Sequence, residues 1–261
     1  MHRSCRSRRR NTRLDVRSFL SILEKILICA TGVLALYYFS QSPFFALKEI
    51  KVQGLKRLSL AEVSRVSGLS KGTNLFRIDL RLVEKRLLAH PLIEQVEVRR
   101  RFPRTVLIEI SEREPRALLL VNNGFLVLDK KGFCIDKLTS LGSYSLPIIT
   151  GLKPDSTALG ERVSRNGDLA AVLGALEAEV QPFFSEVNLA DSDHIIGYSR
   201  EGIPILLGTS QDLPAKFRLA VSFAGSLENG QPVEYIDLTA IQAPAVKYLE
   251  NETGSKEKML R

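Results

Sequence analysis

Polar and charged positions recur every few residues along this chain except in one stretch. Residues 26–47, bounded by Ile26 and Leu47, form a run of 22 residues without a charge. As a helix this run would span about 33 Å, enough for a hydrocarbon core about 30 Å thick. Ser40, Gln41, Ser42 and Pro43 place the end of its firmly apolar part near Phe39, with Tyr37, Tyr38, Phe44 and Phe45 as interfacial aromatics. The run is longer than a cleavable signal's apolar region and no small-x-small site follows it promptly, so an uncleaved signal anchor is expected.

Beyond the run the pattern shortens. Ile50 and Val52 alternate with Glu49 and Lys51, a half-buried strand that stops at Gly54. Ser59 and Glu62 have capping-box spacing, and Leu60, Val63 and Val66 form a stripe ended by Gly68, which predicts a helix over 60–67. Asp79 is placed to cap a second helix carrying Leu80, Val83, Leu87 and Leu88, closed by His90 and Pro91. Alternation returns at Val96 and Val98 and again at Val106, Ile108 and Ile110, with a proline turn between: a hairpin. The order strand, helix, helix, strand, strand predicts a three-stranded sheet covered on one face by two helices.

The remaining chain reads as a second, mixed unit. Strands are expected at 118–121 and 125–128 around Asn122-Asn123-Gly124, then at 133–135, 187–189, 195–198, 203–207, 233–238 and 246–249. Asp168 is read as the cap of a helix bearing Leu169, Val172, Leu173, Leu176 and Val180, and Asp212 as the cap of another reaching about residue 226. The expected class is α+β: a single transmembrane helix, a β-α-α-β-β module and a mixed β domain with two helices. The segments are a basic tail at 1–25, the anchor at 26–47, the module at 48–115, the β domain at 116–250 and a polar end at 251–261.

The net charge of +8 would suggest a polyanion partner were it not so unevenly placed. Residues 1–25 hold eight basic and two acidic side chains, leaving only +2 for the remaining 236 residues. Nucleic-acid binding therefore lacks its main electrostatic driving force. The positive-inside rule instead puts residues 1–25 in the cytoplasm and the domains outside. Of three cysteines, Cys5 would be cytoplasmic and Cys29 intramembrane, so Cys134 has no disulfide partner outside and is expected as a buried thiol.

Candidate chemistry is sparse. His-Glu-x-x-His and Cys-His signatures are lacking. The loop from Gly68 to Gly72 has its lysine before the second glycine and joins two helices, unlike a phosphate loop. Asp191, Asp193 and His194 read as a solvated turn rather than metal ligands. Arg99, Arg100, Arg101 and Arg104 read first as a solvated hairpin tip that blocks edge pairing, and second as a contact for lipid headgroups or an acidic partner. No catalytic residue, metal or cofactor is expected.

The phrase from His90-Pro91 through the basic run before Pro103 to Glu112-Arg-Glu-Pro115-Arg-Ala117 resembles the POTRA module of the bacterial FtsQ/DivIB cell-division family. Ile205-Leu-Leu-Gly208 and Tyr235-Ile-Asp237-Leu238 resemble that family's β domain. Other POTRA proteins continue into a membrane barrel, for which the roughly 145 residues left here offer no series of amphipathic strands. The resemblance implies a non-enzymatic, single-pass type II protein of the inner membrane, with its domains in the periplasm at the division septum. It would link early and late division proteins and other membrane components of that machinery. It would also capture FtsB- and FtsL-like single-span partners through its last strands, by addition of a partner strand. The partner-contacting aromatic falls on Tyr248, with Val246 and Lys247 in the same strand. Ala240 stands where an aromatic contact residue occurs in the family, and Thr239 where an arginine is common. The alternative is a POTRA-type translocation or chaperone factor for exported proteins.

Overall fold

The computed structural model describes residues 16–141, 144–226 and 232–249. Helix α1, Val16–Ser40, contains a candidate membrane span, Phe19–Ser40, with a mean hydropathy of 2.0 and none of its residues buried. It begins ahead of the uncharged run, carrying Glu24 and Lys25 within it, because Phe19, Leu20, Ile22 and Leu23 extend its apolar surface. It ends at Ser40 because Pro43 disfavours a helical conformation at Ser42, which has φ −59° and ψ 147°. One 3₁₀ turn, Pro43–Phe45, follows.

The first domain has the predicted order. Strand β1 (Glu49–Gln53) lies parallel to β3 (Thr105–Glu112), and β2 (Ile93–Arg101) pairs antiparallel with β3 on the other side. Helix α2 (Leu60–Ser67) starts where Ser59 Oγ accepts from the Glu62 N–H at 3.2 Å and ends at Gly68, whose φ of 66° favours glycine. Helix α3 (Leu80–Leu88) is capped by Asp79. Val63, Val83 and Leu87 from the helices meet Val98, Val106, Ile108 and Ile110 from the sheet in one core. Gly54 leaves β1 with φ 85° so close to β3 that a Cβ would stand 1.9 Å from the Ile110 carbonyl oxygen.

The second domain is one nine-stranded sheet: β4 (Pro115–Val121), β5 (Gly124–Asp129), β6 (Cys134–Leu138), β7 (Ile148–Thr150), β8 (Phe184–Asn188), β9 (Ile195–Ser199), β10 (Pro204–Gly208), β11 (Val233–Asp237) and β12 (Ala245–Tyr248). Its spatial order is β12-β11-β10-β9-β8-β7-β4-β5-β6. Helix α4 (Gly167–Ala175) connects the parallel pair β7 and β8, and α5 (Leu213–Ser226) connects the parallel pair β10 and β11. Leu169, Val172 and Leu173 of α4 and Leu213, Phe217 and Ala220 of α5 pack with Ile149, Val187, Ile205, Leu207 and Ile236 in a single core. Cys134 is buried in the same core, where desolvation raises its thiol pKa.

Three local expectations change. Asn166, not Asp168, caps α4, its Oδ1 accepting from the N–H groups of Asp168 and Leu169 at 2.7 and 3.3 Å. That helix stops at Ala175 because the Leu176 carbonyl is taken by the side chains of Arg116 and Gln181, although Val180 is still buried in a following turn. Asp212 adopts φ 56° and starts α5 with its carbonyl, which accepts from Ala215 and Lys216.

Candidate partner-binding edge

Strand β12 is made by a tight reversal. Asp237 Oδ1 ends β11 by accepting from the Thr239 N–H at 2.9 Å and from its hydroxyl at 2.7 Å. The Ala243 N–H then returns to the Ala240 carbonyl at 3.2 Å. After Pro244 the chain runs back along β11, pairing Ala245 with Asp237, Val246 with Ile236, Lys247 with Tyr235 and Tyr248 with Val233. The register shifts between Val233 and Tyr235, placing the irregularity in β11 and leaving β12 continuous.

The hydrogen-bonding direction of β12 follows from its end. The Leu249 N–H donates to the Pro232 carbonyl at 2.9 Å, toward β11. Peptide groups alternate along a strand. The N–H and C=O groups of Lys247 and Ala245 therefore face β11, while those of Val246 and Tyr248 face away from the sheet. No other strand among the described residues pairs with that outer side.

The side chains are arranged to match. Val246 packs against the domain core and holds the strand down. Lys247 Nζ lies 2.9 Å from Glu234 Oε2 and 5.5 Å from the centre of the Tyr235 ring. Tyr248 is 44% exposed and Leu249 50%, two large apolar side chains beside an unpaired edge. The structure thus brings Val246, Lys247 and Tyr248 together on one strand. Ala240 is exposed in the preceding turn, off the strand. Leu249 was legible only as the end of a strand, since its exposure depends on β12 being outermost.

The other sequence candidates resolve into local structure. Asp191 Oδ2 and His194 Nδ1 are 2.8 Å apart in an exposed turn. The Asp193 N–H and the imidazole hold the Asp191 carboxyl below its ordinary pKa, and Asp191 raises that of His194. Among the described residues no group of three or more His, Cys, Asp or Glu could hold a metal ion. Gly72 donates its N–H to the Leu47 carbonyl at 2.8 Å, so that loop amide is already engaged. Of the hairpin arginines, Arg99 pairs with Glu97 at 2.6 Å, whereas Arg100 donates inward to the carbonyls of Leu75 and Ile78 at 2.8 and 2.6 Å. The cluster is therefore only partly a solvated tip.

An apolar N-terminal helix, a β-α-α-β-β module and a mixed sheet ending in an open edge define a membrane-anchored POTRA protein with an appended β domain. Family comparison agrees, matching "POTRA domain, FtsQ-type" over residues 45–113 and "Cell division protein FtsQ/DivIB, C-terminal" over residues 117–239. The chain is 33% identical over 153 residues to the cell division protein FtsQ of Myxococcus fulvus, covering 57% of this chain and 54% of that one. It is 30% identical over 206 residues to FtsQ of a Geobacter species, covering 76% and 74%. The extracytoplasmic domain of DivIB from Geobacillus stearothermophilus overlaps 46% of this chain and 98% of its own length at 19% identity, with a TM-score of 0.34 too low to carry weight. The chain belongs to the FtsQ/DivIB family of cell division proteins.

Proposed function

We propose that this chain is a non-enzymatic scaffold of the division machinery that captures FtsB- and FtsL-like single-span proteins on strand β12. In this reading α1 anchors it in the inner membrane with residues 1–25 in the cytoplasm. Both domains lie in the periplasm at the septum, where they also meet other division proteins of the membrane. The observation that carries the reading is the open edge: the outward peptide groups of Val246 and Tyr248, bordered by the exposed Tyr248 and Leu249. An uncovered strand edge is a liability that proteins usually blunt, and a partner strand satisfies it with main-chain hydrogen bonds. Ala240, in the adjoining turn, would border such a strand.

Tyr248 is the aromatic anchor in this reading. Tyr248→Ala should weaken capture of an FtsB-like partner by about 2 kcal/mol, roughly 30-fold, as is typical of interface anchors. Because the ring is nearly half exposed, the melting temperature should hold. Isothermal titration of the detergent-solubilised chain with the partner's periplasmic segment measures the first, and a thermal melt the second. Binding equal to wild type would remove β12 as the capture site.

A further inference from the structure

The end of α1 is not joined to the first domain by a loose linker. The carbonyl of Ser40, one of those a helix leaves unsatisfied in its last turn, accepts from Asn74 Nδ2 at 2.7 Å. One residue on, Gln41 Oε1 accepts from Arg77 Nη2 at 2.6 Å. The Phe44 carbonyl accepts from Arg104 Nε at 3.0 Å, and that guanidinium lies 5.5 Å from the Phe44 ring centre. Leu47 then exchanges backbone hydrogen bonds with Thr73 and Gly72, and the Lys48 N–H donates to the Arg104 carbonyl. Wherever α1 sits, this end of the domain sits directly against it.

That end carries rings from three separate segments. Phe39, inside the candidate span, lies 5.4 Å from Phe45 between ring centres. Phe45 is in turn 5.0 Å from Phe76 in the 3₁₀ turn Leu75–Arg77, and 6.2 Å from Phe102 at the tip of the β2–β3 hairpin. Phe76 and Phe102 are themselves 5.4 Å apart. Despite this contact Phe44, Phe76 and Phe102 remain 46%, 47% and 56% exposed. Contiguous exposed phenylalanines are not a stable arrangement toward water. The apolar phase that α1 enters begins at the ring of Phe39, so it is adjacent to all three. Exposed arginines at 77 and 101 stand beside them, suited to lipid phosphates.

We propose that Phe44, Phe76 and Phe102 seat the membrane-proximal end of the first domain in the outer headgroup layer of the bilayer, so that the domain is a lipid-binding module in addition to being tethered. This rests on α1 being a membrane anchor. Its consequence is a fixed tilt and height for the domain.

The chain has no tryptophan, so single replacements act as clean reporters. The full chain, carrying Phe102→Trp or, independently, Phe76→Trp, would be reconstituted into phosphatidylethanolamine and phosphatidylglycerol vesicles with lipids brominated near the glycerol end of their acyl chains. A Leu34→Trp variant reports the anchor and Tyr248→Trp the distant edge. Both ring positions should lose most of their emission to these shallow bromines, Leu34→Trp should be quenched more by bromines near the chain ends, and Tyr248→Trp by neither. If Leu34→Trp is quenched while Phe102→Trp and Phe76→Trp stay bright, the seat is overturned and the anchor stands. An unquenched Leu34→Trp overturns both.

Discussion

Glu112, the last residue of β3, is buried where the two exported domains meet, and its carboxylate accepts the N–H groups of Lys56, Arg57 and Leu58 at 2.8, 2.9 and 3.1 Å. Burial pushes its pKa up, but the three amides and the Arg57 charge outweigh that and hold it below its ordinary value. A carboxylate whose folded pKa is depressed stabilises the fold fully above its unfolded pKa, about 4.3, and loses that contribution as pH falls through the folded value. Glu112→Gln should therefore cost about 1–3 kcal/mol near neutral pH, and thermal melts in a pH series should show the gap closing below about pH 4. A gap independent of pH would mean that charge is not what holds the 56–58 segment. In the sequence Glu112 is visible only as part of the Glu-x-x-Pro phrase. Its role appears once residues 56–58, more than fifty positions earlier, fold back onto it. Lys216, buried with its Nζ on the carbonyls of Leu207 and Thr209, is equally silent in the sequence, where it reads as one more basic residue on a helix.

Elements were legible where local chemistry decides them. Ser59, Gly68 and Asp79 act at the helix ends their spacing predicts, and alternation at Val96 and Val98 and from Val106 to Ile110 marks the hairpin. Strand β7 has only Ile148, Ile149 and Thr150, too few for alternation to show, yet its parallel pairing with both β4 and β8 joins the two parts of the large sheet. Its existence is dictated by its neighbours. The order of strands was likewise hidden, including the place of β12 at one edge of the sheet among the described residues. The facing of β12 predicts opposite outcomes for two adjacent prolines. Lys247→Pro removes an N–H that points at β11, so it should destabilise the sheet by about 1–3 kcal/mol. Tyr248→Pro removes an outward N–H from an exposed residue, which an edge strand tolerates, so it should spare the melt and impair partner capture. Paired melting and binding measurements separate the two, and the reverse pattern would show that the strand faces the other way.

Across the described residues, an apolar helix and two sheet domains follow one another with little slack. The partly buried Arg113 and the buried Asp129 pair at 2.6 Å, with the Arg113 guanidinium 4.1 Å from the Phe133 ring centre, just after β3 passes into the second domain. Together with Glu112 and the hydrogen bonds at Ser40 and Gln41, this links α1, the first domain and the second domain in series. Topology is checked by joining alkaline phosphatase after Glu250. Activity is expected in the proposed orientation, in which the basic residues 1–25 lie in the cytoplasm, and an inactive but intact fusion would reverse that orientation. For capture at β12 the sharpest check is residue-resolved hydrogen exchange on the full chain, free and with an FtsB-like periplasmic segment bound. The amides of Val246 and Tyr248 should exchange fast in the free protein and become protected in the complex, while those of Lys247 and Leu249 are protected in both. If the partner binds and Val246 and Tyr248 still exchange as fast as before, no strand has been added at β12, and capture occurs elsewhere on the protein.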